Sequence, residues 1–189
     1  MISPARRIHQ AFLQLEFAIK VMRHFELGHV DKALLDRDTV IRLPEGELRY
    51  PESSFNTDRD LVLAAQNLYS SVLGLSAISL EAALSDAGIR NNPADTSPRG
   101  DLRTLVYQIR CTFAHDMMYP RWQVADRYLR ELRFIVGGSK RTVDLRRLNG
   151  QLFELESVGG MLVYLEIKKE LLRWLVDLSP VELPQTAGS

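Results

Sequence analysis

Apolar side chains recur at three- and four-residue steps near the start of the chain. Ile8, Ala11, Phe12, Leu15, Ala18, Ile19, Met22 and Phe25 form one stripe of a helix over about 4–27, with Gly28 as its stop. The helical period then fades. Val40-Ile41-Arg42-Leu43 and Leu48-Arg49-Tyr50 flank the turn sequence Pro44-Glu45-Gly46, which predicts a short hairpin or an irregular excursion over 40–50. Thr57 and Asp60 make a capping pair, with Asp where Glu or Gln is usual, and open a long helix over 58–87 that Gly88 closes. Residues 91–100 hold two prolines and read as a loop. Asp101 then caps a third helix over 101–118, carrying Leu102, Leu105, Val106, Ile109, Phe113 and Met117, and Pro120 marks its end.

From Trp122 to Leu155 the pattern changes. Tyr128 to Val136 fits either period, but Phe134-Ile135-Val136 leads through Gly137-Gly138 to Thr142-Val143-Asp144-Leu145, which favours strands over 122–155. Asn149-Gly150, between Leu145-Arg146-Arg147-Leu148 and Gln151-Leu152-Phe153-Glu154-Leu155, is the strongest hairpin signal in the chain. Both residues tolerate the positive φ that a type I′ turn requires. After Gly159-Gly160, Leu165, Lys168, Leu172 and Leu175 are spaced to make one face of a last helix over 161–178. The tail over 180–189 is expected to fray. No internal repeat is present. The pattern predicts a single, mainly α domain over residues 1–189, with a small β appendage.

Composition agrees with a globular chain: 46% of the 189 residues are hydrophobic and 25% charged, with 24 Lys+Arg against 24 Asp+Glu. Zero net charge argues against a globally basic nucleic-acid binder and against an acidic disordered tail. Residues 61–80 carry no charge and match the length of a bilayer span, yet they hold Gln66, Asn67, Ser70, Ser71, Ser76 and Ser79. A buried core helix is the expectation, with Ser70 and Gly74 small enough to admit a neighbouring helix. Only one cysteine, Cys111, is present, so an intramolecular disulfide framework is excluded. No apolar run follows Arg6 and Arg7, so no secretory signal is recognised. A cytoplasmic setting without a membrane partner is the expectation.

Charge is uneven along the chain. Residues 121–150 hold eight basic side chains against three acidic, a local +5, whereas residues 26–60 hold five basic and nine acidic, a local −4. Arginine outnumbers lysine by 19 to 5, and a guanidinium suits phosphate or carboxylate bidentately. Arg121, Arg127, Arg130, Arg133, Arg146 and Arg147 are therefore candidates for an RNA-phosphate track. A solvated β face, or salt bridges to the acidic segment, is the other reading.

One segment carries candidate chemistry: Tyr107-Gln108-Ile109-Arg110-Cys111-Thr112-Phe113-Ala114-His115-Asp116 places an arginine and a histidine five apart near a helix end. An Ile precedes the Arg, small and aromatic residues fill the interval, and an Asp follows the His. Over about 105–122 the sequence resembles the HEPN superfamily, whose hallmark is Arg-x4-6-His in a small antiparallel helical bundle. The resemblance is looser over the two long helices upstream.

The resemblance implies a HEPN-like bundle that homodimerises with two motifs facing across a cleft. It also implies a metal-independent endoribonuclease, with Arg110 and His115 catalytic and Cys111 and Asp116 supporting, in a toxin–antitoxin, antiviral or RNA-processing setting. An antitoxin or effector is the regulatory partner such a setting implies. A non-catalytic HEPN-fold module that binds RNA or a nucleotide, or mediates assembly, is the alternative. Two departures stand out: Cys111 occupies a position that is often Asn, Asp or His, and Met117 stands where some family toxins carry a modifiable tyrosine.

On a straight helix Arg110 and His115 lie roughly 140° apart. Convergence would require the reach of Arg110, a disturbed helix end or a second protomer. A helix-end pair, with Arg110 bridging Asp101 or Asp116, is the structural alternative. His9, His24 and His29 lack a ligand pattern, Glu45, Glu47 and Glu52 form an acidic loop, and no phosphate-loop or zinc-helix signature occurs. No cofactor or metal is expected.

Overall fold

A computed structural model describes residues 3–51, 55 and 57–177; its chain is about 60% helical, with six helices and two separate two-stranded antiparallel sheets among those residues. The elements are α1 (Pro4–Glu26), α2 (Lys32–Leu35), β1 (Thr39–Leu43), β2 (Gly46–Tyr50), α3 (Asp58–Asp86), α4 (Pro98–His115), β3 (Glu131–Val136), β4 (Ser139–Asp144), α5 (Leu145–Leu148) and α6 (Gly160–Asp177). The chain divides into two compact units, Phe12–Leu73 and Met1–Ala11 with Gly74–Ser189.

In the unit Phe12–Leu73, the predicted hairpin forms with register from Thr39 opposite Tyr50 to Leu43 opposite Gly46. Side-chain alternation puts Thr39, Ile41, Leu43, Leu48 and Tyr50 on one face and Val40, Arg42, Glu47 and Arg49 on the other. All ten strand residues are exposed. The capping pair forms as expected: the Thr57 N–H donates to Asp60 at 2.7 Å, and the Asp60 N–H donates to the Thr57 hydroxyl at 3.3 Å.

The second unit packs the C-terminal half of α3 with α4, the β3–β4 hairpin and α6. Gly74 meets the ring of Phe113, as its size predicted, and the Ser76 and Tyr164 hydroxyls share a buried hydrogen bond of 2.9 Å. Arg103, 3% exposed, donates to both Glu81 oxygens at 2.5 and 2.8 Å and to the Ile89 carbonyl at 2.8 Å. These bonds satisfy a guanidinium that would otherwise be costly to bury. By length and composition, Asp58–Asp86 is long and apolar enough to cross a membrane, and a third of its apolar window (33%) is buried. Its C-terminal half nonetheless serves as a core helix here.

Several boundaries differ from the sequence prediction. α4 starts at Pro98 and is capped by Ser97, whose hydroxyl accepts from the Gly100 N–H at 3.1 Å, so Asp101 is not the cap. Ser97 followed by proline is the stronger start signal, because proline at the first helical position loses no needed N–H. α4 ends at His115 rather than at 118. Asp116 turns extended (φ −151°) and accepts from the Met118 and Tyr119 N–H groups at 2.8 and 2.9 Å, so Met117 lies off the helix.

Strands fill only part of 122–155. β3 and β4 join through Gly137 and Gly138, whose φ values of 56° and 74° suit a type I′ turn. Asn149-Gly150 does not make a strand hairpin. The Asp144 carboxylate caps the single turn of α5, and Asn149 (φ −52°, ψ 126°) with Gly150 (φ 83°) makes a type II geometry closed by the Gln151 N–H on the Leu148 carbonyl at 2.9 Å. Beyond it, Arg121 and Leu152 form an isolated bridge, and Leu155–Val158 is a 3-10 turn.

On α6 the buried face is Val163, Tyr164, Ile167, Leu171, Trp174 and Leu175, so Leu165, Lys168 and Leu172 do not line it. The start falls at Gly160, and Leu178 and the tail lie outside the described residues.

Candidate functional site

α4 presents the Arg-x4-His motif at its C-terminal end. Arg110 is half-buried and His115, the last helical residue, is exposed. The helix stays regular through His115, so about 140° and roughly 7.5 Å of rise separate the two side chains. A disturbed helix end therefore does not bring them together.

The predicted bridge from Arg110 to Asp101 or Asp116 does not form among the described residues. Asp101 is held by Arg130 and by the Arg133 N–H at 2.6 Å, and the Asp116 carboxylate caps the next turn. Neither the Arg110 nor the His115 side chain bonds another described residue. His115 does lie in the last turn, where a cation is favoured by the helix dipole.

Cys111 is half-buried. Tyr107 sits one turn earlier on α4, and its interaction with the Cys111 side chain is the first cause of a phenol held above its ordinary value of 10.0. The charge of Cys111, burial and Tyr128 add to it, and Arg127 acts in the opposite direction. The Tyr107 and Tyr128 rings lie 5.5 Å apart, centroid to centroid. Tyr128 is itself fixed by Asn91, whose amide donates to its hydroxyl at 3.0 Å.

The six candidate arginines of the basic segment separate sharply. Arg130 pairs with buried Asp101 and donates to the Asp95 carbonyl at 3.0 Å, a structural commitment. Arg133 pairs with Glu131 at 2.6 Å; Arg146 and Arg147 share Asp144 at 2.8 and 3.5 Å; Arg121 donates to the Gly150 carbonyl at 3.2 Å. Arg127 lies over the Tyr128 ring, 5.1 Å from its centroid. The carboxylate partners, Asp101, Glu131 and Asp144, lie on the same unit as the arginines.

Asp144 is held below its ordinary 3.8 chiefly by the Arg146 side chain, and Asp95 below the same value chiefly by Ser97. A cavity of about 450 Å³ opens at the opposite end of α4, bounded by Pro98, Arg99, Leu102, Ile135, Arg173 and Trp174, away from the motif. Among the described residues no group of three or more His, Cys, Asp or Glu is placed to hold a metal ion. The aromatic contacts of Tyr107 were missed from sequence because Tyr128 is 21 residues away on another element. No family model, curated protein or solved structure matches the chain.

Proposed function

We propose that this chain is a HEPN-like, metal-independent endoribonuclease that acts as a homodimer, in a toxin–antitoxin or antiviral setting. One observation carries the reading: Arg110 and His115 have no side-chain partner among the described residues, while Asp101 and Asp116, the acids available to them in sequence, are engaged elsewhere. A half-buried guanidinium without a carboxylate suits a phosphate.

The chemistry follows from the side chains. The ribose 2′-oxygen attacks the adjacent phosphorus, its proton passes to an imidazole, and the bond from phosphorus to the 5′-oxygen breaks. The departing 5′-oxygen takes a proton from an imidazolium, leaving a 2′,3′-cyclic phosphate and a 5′-hydroxyl. His115 moves these protons and Arg110 stabilises charge on the phosphoryl oxygens. Arg110 of one copy and His115 of a second copy would then face the same phosphate, with that imidazole taking and returning the proton.

A second reading rests on Cys111. It fills the place beside Arg110 with a weakly polar, half-buried group, which suits a HEPN-fold module that binds RNA without cutting it.

The test uses purified wild type and His115→Ala on labelled mixed-sequence RNA in excess EDTA, with analysis of fragment ends. Cleavage by wild type alone, with cyclic or 3′-phosphate ends, is the expected result. If neither protein cuts a broad RNA panel while both stay folded, the binding module replaces the enzyme.

A further inference from the structure

Arg127 differs from the other five candidate arginines, and from exposed Arg141, which also has no acid partner among the described residues, in lying over an aromatic ring. No carboxylate or carbonyl among the described residues accepts from it; its guanidinium carbon instead lies over the Tyr128 ring, 5.1 Å from the centroid. That ring is buried, 4% exposed, and held by the Asn91 amide, which is held in turn by the Thr104 hydroxyl at 3.0 Å. The stack therefore rests on a fixed floor, and the edge donors of Arg127 stay available. Stacking engages the face of a guanidinium and leaves its N–H fork for a phosphate.

The same ring touches Tyr107 at 5.5 Å. Tyr107 sits three residues before Arg110 on α4, the spacing that makes side chains neighbours on a helix. Two guanidiniums without carboxylate partners thus flank one pair of tyrosines. The rings are too buried to receive a base, so they act as the support that sets where the two guanidiniums stand.

We infer that Arg127 holds a second phosphate of a single-stranded RNA, next to the phosphate that Arg110 engages, with Tyr107 and Tyr128 fixing the distance between them. This inference rests on the ribonuclease reading for its substrate class. Arg127 is a positioning residue in it, since it binds a phosphate that does not react.

The test measures fluorescence anisotropy of a labelled, single-stranded, 2′-O-methylated RNA, which cannot be cut by 2′-oxygen attack, against the full chain across a range of KCl concentrations. Arg127→Gln is expected to weaken binding about tenfold and to reduce the slope of log affinity against log salt by about 0.7, the loss of one phosphate contact on a single strand. Arg127→Lys retains the slope but not the full affinity, because an ammonium neutralises phosphate without the planar stack. Arg173→Gln, paired with Glu170 at the opposite end of α4, leaves both unchanged.

On cleavable RNA, Arg127→Gln raises KM about tenfold with kcat within about twofold. Thermal melting of each variant at the wild-type temperature excludes unfolding as the cause. An Arg127→Gln curve that superposes on wild type overturns the subsite even where cleavage is intact. A wild type that never cuts, yet loses slope in Arg127→Gln, retires the nuclease and leaves the subsite standing. Absence of any binding by wild type overturns the subsite.

Discussion

Asp101 accepts from both the Arg130 guanidinium and the Arg133 backbone N–H, and so ties the start of β3 to the first turns of α4. The carboxylate is 3% exposed and the Arg130 side chain 22%. Breaking such a pair from one side leaves a buried charge without compensation, a cost of about 3–5 kcal/mol. Asp101→Ala is therefore expected to lose about that much in urea denaturation. Arg133→Gln, on a side chain 79% exposed, should stay within about 0.5 kcal/mol of wild type. Equal effects from the two would show that the Asp101 pair is not what joins these elements.

Gly74 tests the close approach of α3 and α4. A Cβ there would sit 2.8 Å from Phe113 Cδ1, and Phe113 is 1% exposed, so the ring has little room to retreat. Alanine in a helix interior is favoured over glycine by about 1 kcal/mol, whereas overpacking a filled core costs about 1–3 kcal/mol. Gly74→Ala should destabilise by about 1 kcal/mol, and Phe113→Leu in the same chain should reduce that penalty. A stabilised Gly74→Ala would mean that the ring gives way.

Much of the helical frame was legible because its signals are local. The stripe from Ile8 to Phe25, the Thr57/Asp60 pair and Pro44-Glu45-Gly46 each specify structure through neighbours in sequence, and each element forms where it was predicted. Errors arose where one residue had two local uses. Asp101 is a good cap by type, but Ser97 before a proline captured that role, and the carboxylate turned to Arg130 instead. Asn149-Gly150 supports a positive φ in type II as well as type I′ turns, and the cap from Asp144 made the preceding residues helical. In the candidate site, Arg110 and His115 could be found from sequence, but the Tyr107–Tyr128 contact and the pairing state of each arginine depend on tertiary placement.

Acid should weaken the region around β4 and α5. Asp144 accepts from the Arg146 N–H at 3.1 Å and from its guanidinium at 2.8 and 2.9 Å, which depresses its folded pKa below 3.8. A depressed carboxylate contributes stability above its unfolded value and loses it as pH falls through the folded one. Asp95 acts in the same direction through Ser97. The Tm of wild type is expected to fall as pH drops from about 4 downward, through the unfolded carboxylate value and below. Asp144→Asn should melt lower at neutral pH and show a shallower fall in acid. Parallel curves for the two proteins would remove Asp144 from the acid response.

Helix geometry makes the division of labour between copies measurable. Because α4 is regular through His115, Arg110 and His115 of one chain point about 140° apart, and a second copy is the direct way to face one with the other. Arg110→Ala and His115→Ala should each lower kcat by about 10²–10⁴-fold on RNA that wild type cuts, with binding of uncleavable RNA largely kept in His115→Ala. Mixing the two inactive variants under conditions that exchange subunits then separates the arrangements. If each site takes Arg110 from one copy and His115 from the other, half of the dimers are mixed and carry one intact site of two, restoring about a quarter of wild-type turnover. If both residues act within one chain, no mixed dimer contains a complete pair and the mixture stays inactive. Size-exclusion of the mixture keeps the test sound, since a monomeric elution with activity in wild type would place the whole reaction on one chain and assign the reach to Arg110.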